Sequence, residues 1–273
     1  MKESIGIIGY GNMGSAIGQR LKSKFQVWVF DKDKGKTENL SDIKIAGDIL
    51  NLISAVIAVI LSVKPQDFGE VLKQIKNDID AKLVISIAAG ISTGYIESRL
   101  GRVRVIRVMP NLPAKVGKGM ICLCKGSFAS EKDLDFAKEL FDNLGETMLV
   151  EENLMNAVTA VSGSGPGYFY HLIQGKKKEE WEDYGRDVFV PKLSEAARGI
   201  GFNLAQAQLL AAKTVEGSIA LLEETGISPA ELCRQVTSRG GTTEAGLRVL
   251  RGIDSLADSV SAALKRAEEL ARE

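Results

Sequence analysis

The sequence predicts an α/β protein: a doubly wound parallel sheet in the N-terminal half, then an all-helical C-terminal half. Three observations carry this. Short β-branched apolar runs alternate with helical patterns from Ser4 to Val150, joined by short connections. A glycine turn, Gly9-Tyr10-Gly11-Asn12-Met13-Gly14, separates the first strand from the first helix. From Asn153 onward the β pattern stops and apolar residues recur at helical spacing. The expected domains are residues 1–151 and 152–273.

Taken in order, Ser4–Gly9 reads as the first strand, Asn12–Ser23 as the first helix and Gln26–Phe30 as the second strand. Asp31–Lys36 is a charged turn. Ala55–Val63 is apolar throughout, as a central parallel strand covered on both faces should be. Lys64-Pro65-Gln66 ends it, because proline cannot extend the ladder. Asp67–Asn77 is a helix with Phe68, Val71, Leu72 and Ile75 on one face. Leu83–Ala88 and Val103–Val108 are strands, and Ser92 can cap the helix between them. Met120–Cys124, Leu134–Leu144 and Thr147–Val150 add strand, helix and strand. In the second half, Pro229–Val236 and Glu244–Leu250 are amphipathic helices flanking Ser238-Arg239-Gly240-Gly241-Thr242-Thr243.

The bulk composition narrows the function. The 273 residues suffice for two domains. The 35 basic residues equal the 35 acidic ones, so no global field favours nucleic acid or an anionic membrane. Three cysteines without paired spacing argue against a disulfide framework. With one histidine, His171, a metal site is not expected. The first strand begins within a few residues of Met1, so no signal peptide is expected. The most apolar run is too short to span a bilayer, and a cytoplasmic location is expected.

The chemistry-bearing residues lie at the predicted strand ends and in one C-terminal turn. A strand, a G-x-G-x-x-G turn and a helix N-terminus form a pyrophosphate site. Gly9 allows the tight turn, Gly11 the approach of phosphate and Gly14 the close packing of helix on strand. Asp31, at the end of the second strand, sits where a ribose hydroxyl needs an acceptor. Ligands of open parallel sheets bind outside the strands' carboxyl ends, so Lys64 and Asn111 are expected along the cofactor's path. The alternative for Lys64 is a solvated strand-end lysine, and for Asn111 a rigid turn between two prolines. Gly240-Gly241-Thr242-Thr243 offers glycine amides and hydroxyls before a helix, a cradle for a small carboxylate. The other reading is an ordinary capped helix start. No Ser-His-Asp or Cys-His nucleophile can be assembled without His171, which suits hydride transfer to an already activated acceptor such as an iminium carbon.

Several motifs together resemble the pyrroline-5-carboxylate reductase family. They are Gly9-Tyr-Gly-Asn-Met-Gly14, Val63-Lys-Pro-Gln66, Val108-Met-Pro-Asn-Leu-Pro113, Ser162-Gly-Ser-Gly-Pro166 and Pro229-Ala-Glu-Leu-Cys-Arg-Gln-Val-Thr-Ser-Arg-Gly-Gly-Thr-Thr243. The resemblance runs from about Ile5 to Lys265. It implies a Rossmann-type domain followed by a helical dimerisation domain, and reduction of 1-pyrroline-5-carboxylate to L-proline by NADPH or NADH. By position, Val236, Ser238, Gly241, Thr242 and Thr243 would hold the substrate, with Thr243 hydrogen-bonded to the ring nitrogen as acid or relay. Gly9, Gly11, Asn12, Met13, Gly14, Asp31, Val63, Lys64, Pro65, Asn111 and Ser164 would hold the cofactor. Asp31 favours NADH, whereas Lys32 and Lys34 can pair with a 2′-phosphate. The family forms homodimers and larger homo-oligomers, so Leu209, Leu210, Val215, Ile219 and Leu222 are expected to need a partner surface.

Two departures from the family pattern stand out. Gly175–Asp187, densely charged and followed by Pro191, interrupts a helix that is continuous in the family; it reads as an arm, a lid or a loop near 175–190. Arg239 stands where proline is common. Two other functions compete with the reductase. A β-hydroxyacid-type dehydrogenase would need a lysine shortly after the glycine-serine-glycine turn, where this chain has Pro166 to His171. The other is a non-catalytic nucleotide-sensing or scaffold homologue that kept the fold, against which the intact substrate-turn residues speak.

Overall fold

The computed structural model describes residues 2–271. Contacts divide the chain into two units, Met1–Val108 with Leu123–Leu144, and Met109–Cys122 with Gly145–Glu273.

The strands and helices begin as β1 (Ser4–Ile8), α1 (Asn12–Leu21), β2 (Gln26–Phe30), β3 (Lys44–Ile45), α2 (Ile49–Ala55), β4 (Ala58–Leu61) and α3 (Pro65–Ile75). They continue with β5 (Leu83–Ser86), α4 (Thr93–Leu100), β6 (Arg104–Met109), β7 (Gly119–Lys125), α5 (Glu131–Phe141) and β8 (Gly145–Leu149). The sheet runs β3-β2-β1-β4-β5-β6-β7-β8, and β1 to β6 pair in parallel. Ile7 lies opposite Ile60, and Ile85 opposite Ile106. Strand order reverses between β1 and β4, which places a ligand crevice at their carboxyl ends. All four residues of β4 and of β5 are buried, as a parallel sheet covered on both faces requires.

The strand expected over Ala55–Val63 is present but shorter, as β4, and a helix that was not expected, α2, runs up to Ala55. Asp48 caps α2 by accepting from the Asn51 amide at 2.7 Å, and Ile49, Leu52 and Ile53 face the core. A helix therefore occupies the chain through Ala55, and β4 begins only at Ala58. Gly6 lets α2 lie close to β1, since a Cβ there would stand 2.3 Å from Leu52 Cδ2. β3 was not anticipated: two exposed residues at a sheet edge carry no periodicity. Pro65 is the first residue of α3, which thus starts two residues before the expected Asp67.

The helices after β8 are α6 (Met155–Val158), α7 (Gly165–Ile173), α8 (Trp181–Tyr184), α9 (Val190–Gly199), α10 (Leu204–Thr225), α11 (Pro229–Val236), α12 (Thr242–Val249) and α13 (Leu256–Leu270). The charged stretch near 175–190 is mostly helix. A 3-10 turn at Lys178–Glu180 leads into α8, then a wide π-helical turn at Gly185–Phe189 leads into α9. Pro191 has no N–H to give the Asp187 carbonyl, and the widened turn immediately precedes it. Phe189 is fully buried and packs edge-on against Phe169 with 5.3 Å between ring centres. The apolar residues of α10 also differ from expectation. Leu210, Val215, Ile219 and Leu222 are buried within this chain, so their hydrophobicity needs no second copy; Leu209 alone is partly exposed.

Residues 109–122 belong with the C-terminal helices because of Asn111. Its side chain, 2% exposed, donates from Nδ2 to Ser162 O at 3.1 Å, while Oδ1 accepts from the Met120 amide at 2.9 Å. Gly217 helps by letting α10 approach: a Cβ there would lie 2.1 Å from Lys118 O. Asn111→Ala would leave the Met120 amide buried without its acceptor. The variant is expected to lose about 2 kcal/mol of stability in urea titration.

Candidate active site

One candidate site lies where β1 and β4 end. Gly9 has φ +93, and its amide donates to Phe30 O at 2.8 Å. A Cβ on Gly9 would meet Ser62 O at 2.6 Å, and one on Gly14 would meet Gly9 O at 2.1 Å. Gly11 is different: beyond Tyr10 and Asn12, its chain neighbours, no described atom lies within 4 Å of a Cβ placed there. Gly11 also precedes α1, whose start carries no side-chain cap, so the first-turn amides of Asn12, Met13 and Gly14 point out of the helix end. Open space over a glycine, beside orphan amides at the positive end of a helix, fits a pyrophosphate. A cavity of about 440 Å³ extends from this turn along Asp31, Lys32, Ser62, Val63 and Lys64.

Asp31 is held inside this structure. Its Oδ2 accepts from the Tyr10 amide at 2.7 Å and its Oδ1 from the Asp33 amide at 2.9 Å, with Lys36 Nζ at 3.4 Å. Burial alone would raise its carboxyl; the Asp33 and Tyr10 amides and the Lys36 ammonium outweigh that and hold it below the usual range. Lys32 pairs with Asp67 at 2.8 Å, and both are exposed.

A separate candidate site, in the other unit, is a turn and a helix start. Between α11 and α12, Gly240 takes φ +71 and its amide donates to Glu244 Oε2 at 2.8 Å. Gly241 donates to Ser238 O at 3.0 Å. Both glycine amides expected to meet an anion are therefore engaged within the turn. The available donors are one step further on: α12 starts without a side-chain cap, which leaves its first-turn amides directed outward. Beside them lies a hydroxyl cluster. Thr243 Oγ1 donates to Ser164 Oγ at 3.1 Å, and Ser164 Oγ shares a proton with Thr242 Oγ1 at 3.1 Å. Ser164 is fully buried and Thr243 is 5% exposed. Gly167 on α7 admits Thr243 and Val236, since a Cβ there would stand 2.5 Å from Thr243 Cγ2 and 3.5 Å from Val236 Cγ1.

The comparisons with known proteins give the chain a family. A family model described as pyrroline-5-carboxylate reductase dimerisation matches residues 187–273, and one described as NADP oxidoreductase, coenzyme F420-dependent, matches residues 4–90. The pyrroline-5-carboxylate reductase of Synechocystis sp. is 33% identical over all of both chains. The chain belongs to the pyrroline-5-carboxylate reductase family. The solved structure of the Coxiella burnetii pyrroline-5-carboxylate reductase superposes with a TM-score of 0.67 at 28% identity, covering all of both chains. That of Plasmodium falciparum pyrroline carboxylate reductase, which has NADP bound, shares the fold with a TM-score of 0.64 at 24% identity, covering 98% and 99%.

For a pyrroline-5-carboxylate reductase, the expected site residues distribute unevenly. Gly9, Gly11, Asp31, Val63 and Lys64 line the cavity. Asn12 is exposed and Met13 half-buried in the first turn of α1, and Pro65 opens α3 without lining the cavity. Asn111 is committed to Ser162 and Met120. Ser164, expected at the cofactor, lies on Thr242 and Thr243. Ser238 is exposed at the turn, as is Arg239.

Sequence reasoning missed Ser62, Tyr10, Glu244, Lys115 and Arg266. Glu244 had a signal, a glutamate at the third position of a helix, which reaches back to amides before it. Lys115 had none: its Nζ donates to Gln235 Oε1 at 3.2 Å, beside Val236, and burial pulls its ammonium below the usual range.

Asp31 gives this site a pH signature. Its folded pKa lies below the unfolded one, so its hold on the turn is complete above about pH 4 and fades as pH falls further. Asp31→Ala is expected to weaken nicotinamide cofactor binding by about tenfold and to abolish this acid-dependent loss. Fluorescence titrations of both proteins across that pH range check it.

Proposed function

We propose that this chain catalyses the NAD(P)H-dependent reduction of 1-pyrroline-5-carboxylate to L-proline, and that the turn from Ser238 to Thr243 holds the substrate. The observation that carries the reading is the buried hydroxyl cluster of Ser164, Thr242 and Thr243 beside an uncapped helix start. The substrate has two polar handles, a carboxylate and a ring nitrogen. The α12 amides and the Ser238 hydroxyl suit the carboxylate. Thr243 suits the nitrogen. Its proton is directed to Ser164, which leaves its lone pairs to accept from a protonated ring N–H.

This polarity assigns the work. The reduced nicotinamide, when bound, supplies a hydride to the carbon of the C=N bond. Thr243 holds the nitrogen in its protonated, electron-poor form and orients the ring, so the proton on nitrogen stays there in the product. Val236 and Gly167 wall the ring's apolar side. No nucleophile is required, which agrees with the sparse acid–base inventory.

We assign the cofactor to residues 1–151 and substrate and dimer contacts to residues 152–273. The glycine turn and the cavity beside it accommodate NADPH or NADH. The Asp31 carboxylate is oriented by two amides and Lys36, lines the same cavity, and keeps an acceptor site for a ribose hydroxyl. The matched dimerisation model supports a homo-oligomer. Among the described residues no helix is long and apolar enough to cross a membrane, and we place the enzyme in the cytoplasm.

Purified protein is expected to oxidise NAD(P)H only when pyrroline-5-carboxylate is supplied, with proline formed in equal amount. Cofactor binding without proline formation would identify the non-catalytic homologue. Thr243→Val should lower kcat/KM about 10- to 100-fold, the weight of a hydrogen bond to a charged group. Cofactor affinity, measured by titration, should not change.

A further inference from the structure

Gly240 is held from two sides by charged side chains. Its amide donates to Glu244 Oε2 at 2.8 Å, and its carbonyl accepts from Arg266 Nε at 2.8 Å. Arg266 lies on α13, far along the chain, and its side chain is 27% exposed, whereas Arg248 on α12 is 72% exposed. At the surface, Glu244 also pairs with Arg248 at 3.1 Å, and Arg266 with the half-exposed Glu269 at 3.1 Å.

We propose that Arg266 is a positioning residue of the substrate turn, acting through the Gly240 carbonyl; this rests on the substrate role given to that turn above. The reasoning follows from peptide planarity. The Gly240 carbonyl and the Gly241 amide belong to one rigid plane. Gripping the carbonyl fixes the direction of the amide, which donates to Ser238 O. Gly241 in turn accepts from the Ala245 amide and opens α12. One guanidinium contact thus sets the orientation of the chain immediately before Thr242 and Thr243. The left-handed φ of Gly240 makes the device necessary, because a glycine at this position has alternative conformations of similar energy and no side chain to choose among them.

The test compares the wild type with Arg266→Met, which keeps the side chain's length but has no donor, and with Arg266→Lys, which restores a single donor. Glu269→Gln, which breaks only the surface pair, is the control. Arg266→Met is expected to raise KM for pyrroline-5-carboxylate and weaken L-proline binding in calorimetry about tenfold, leaving KM for NADPH unchanged. Arg266→Lys should recover part of the loss, and Glu269→Gln should match the wild type. Amide exchange in residues 238–243 should quicken in Arg266→Met alone. An unchanged substrate KM with unchanged exchange overturns the proposal, as does a loss shared equally by substrate and NADPH. If the wild type forms no proline, the substrate reading fails, and exchange at Gly241 still decides the clamp.

Discussion

The C-terminal half of this protein depends on one buried amide. Asn111 ties the segment leaving β6 to the carbonyl of Ser162 and to the start of β7. Without that bridge, residues 109–122 would be a loop after a strand, not part of the body that carries the hydroxyl cluster. Two residues beyond Ser162 stands Ser164, which receives the Thr243 proton. The bridge also lets a short stretch of chain serve two purposes. Leu112 to Val116 forms a 3-10 turn against α10 and presents Lys115 to the end of α11.

Much of the fold was legible because the parallel sheet imposes a simple grammar. Strands buried on both faces must be continuously apolar, and β4 and β5 are. The same rule hid α2, since its apolar residues run on almost unbroken into the strand expected over Ala55–Val63. Asp48, a capping residue immediately before Ile49, was the cue that a helix starts there. The charged stretch near 175–190 misled for the opposite reason: high charge suggested a loop. Only Gly185 and Phe189 are buried there, and a helix needs no more than one apolar stripe.

The site was legible in its glycines and threonines and illegible in what orients them. Glycine turns announce themselves because few other functions require three glycines at fixed spacing. Asp31 was visible as an acidic residue after the second strand, but not that Tyr10 and Asp33 orient its carboxylate. Arg266 could not have been found at all, since an arginine on an amphipathic helix is ordinary until the carbonyl it reaches is known. The polar cluster likewise reverses an intuition: Gly240 and Gly241 shape the turn, and the amides that follow them do the presenting.

The packing of the nucleotide turn bears on how such an enzyme can diversify. Gly9 and Gly14 are locked by contacts to Ser62 and to each other that tolerate no added carbon. Lys32 and Lys34, by contrast, are exposed and support no core. Selection for a different nicotinamide therefore has a narrow corridor: it acts on the loop after β2, where a side chain can be exchanged without disturbing the scaffold. The phosphate grip stays constant while the discriminating surface drifts.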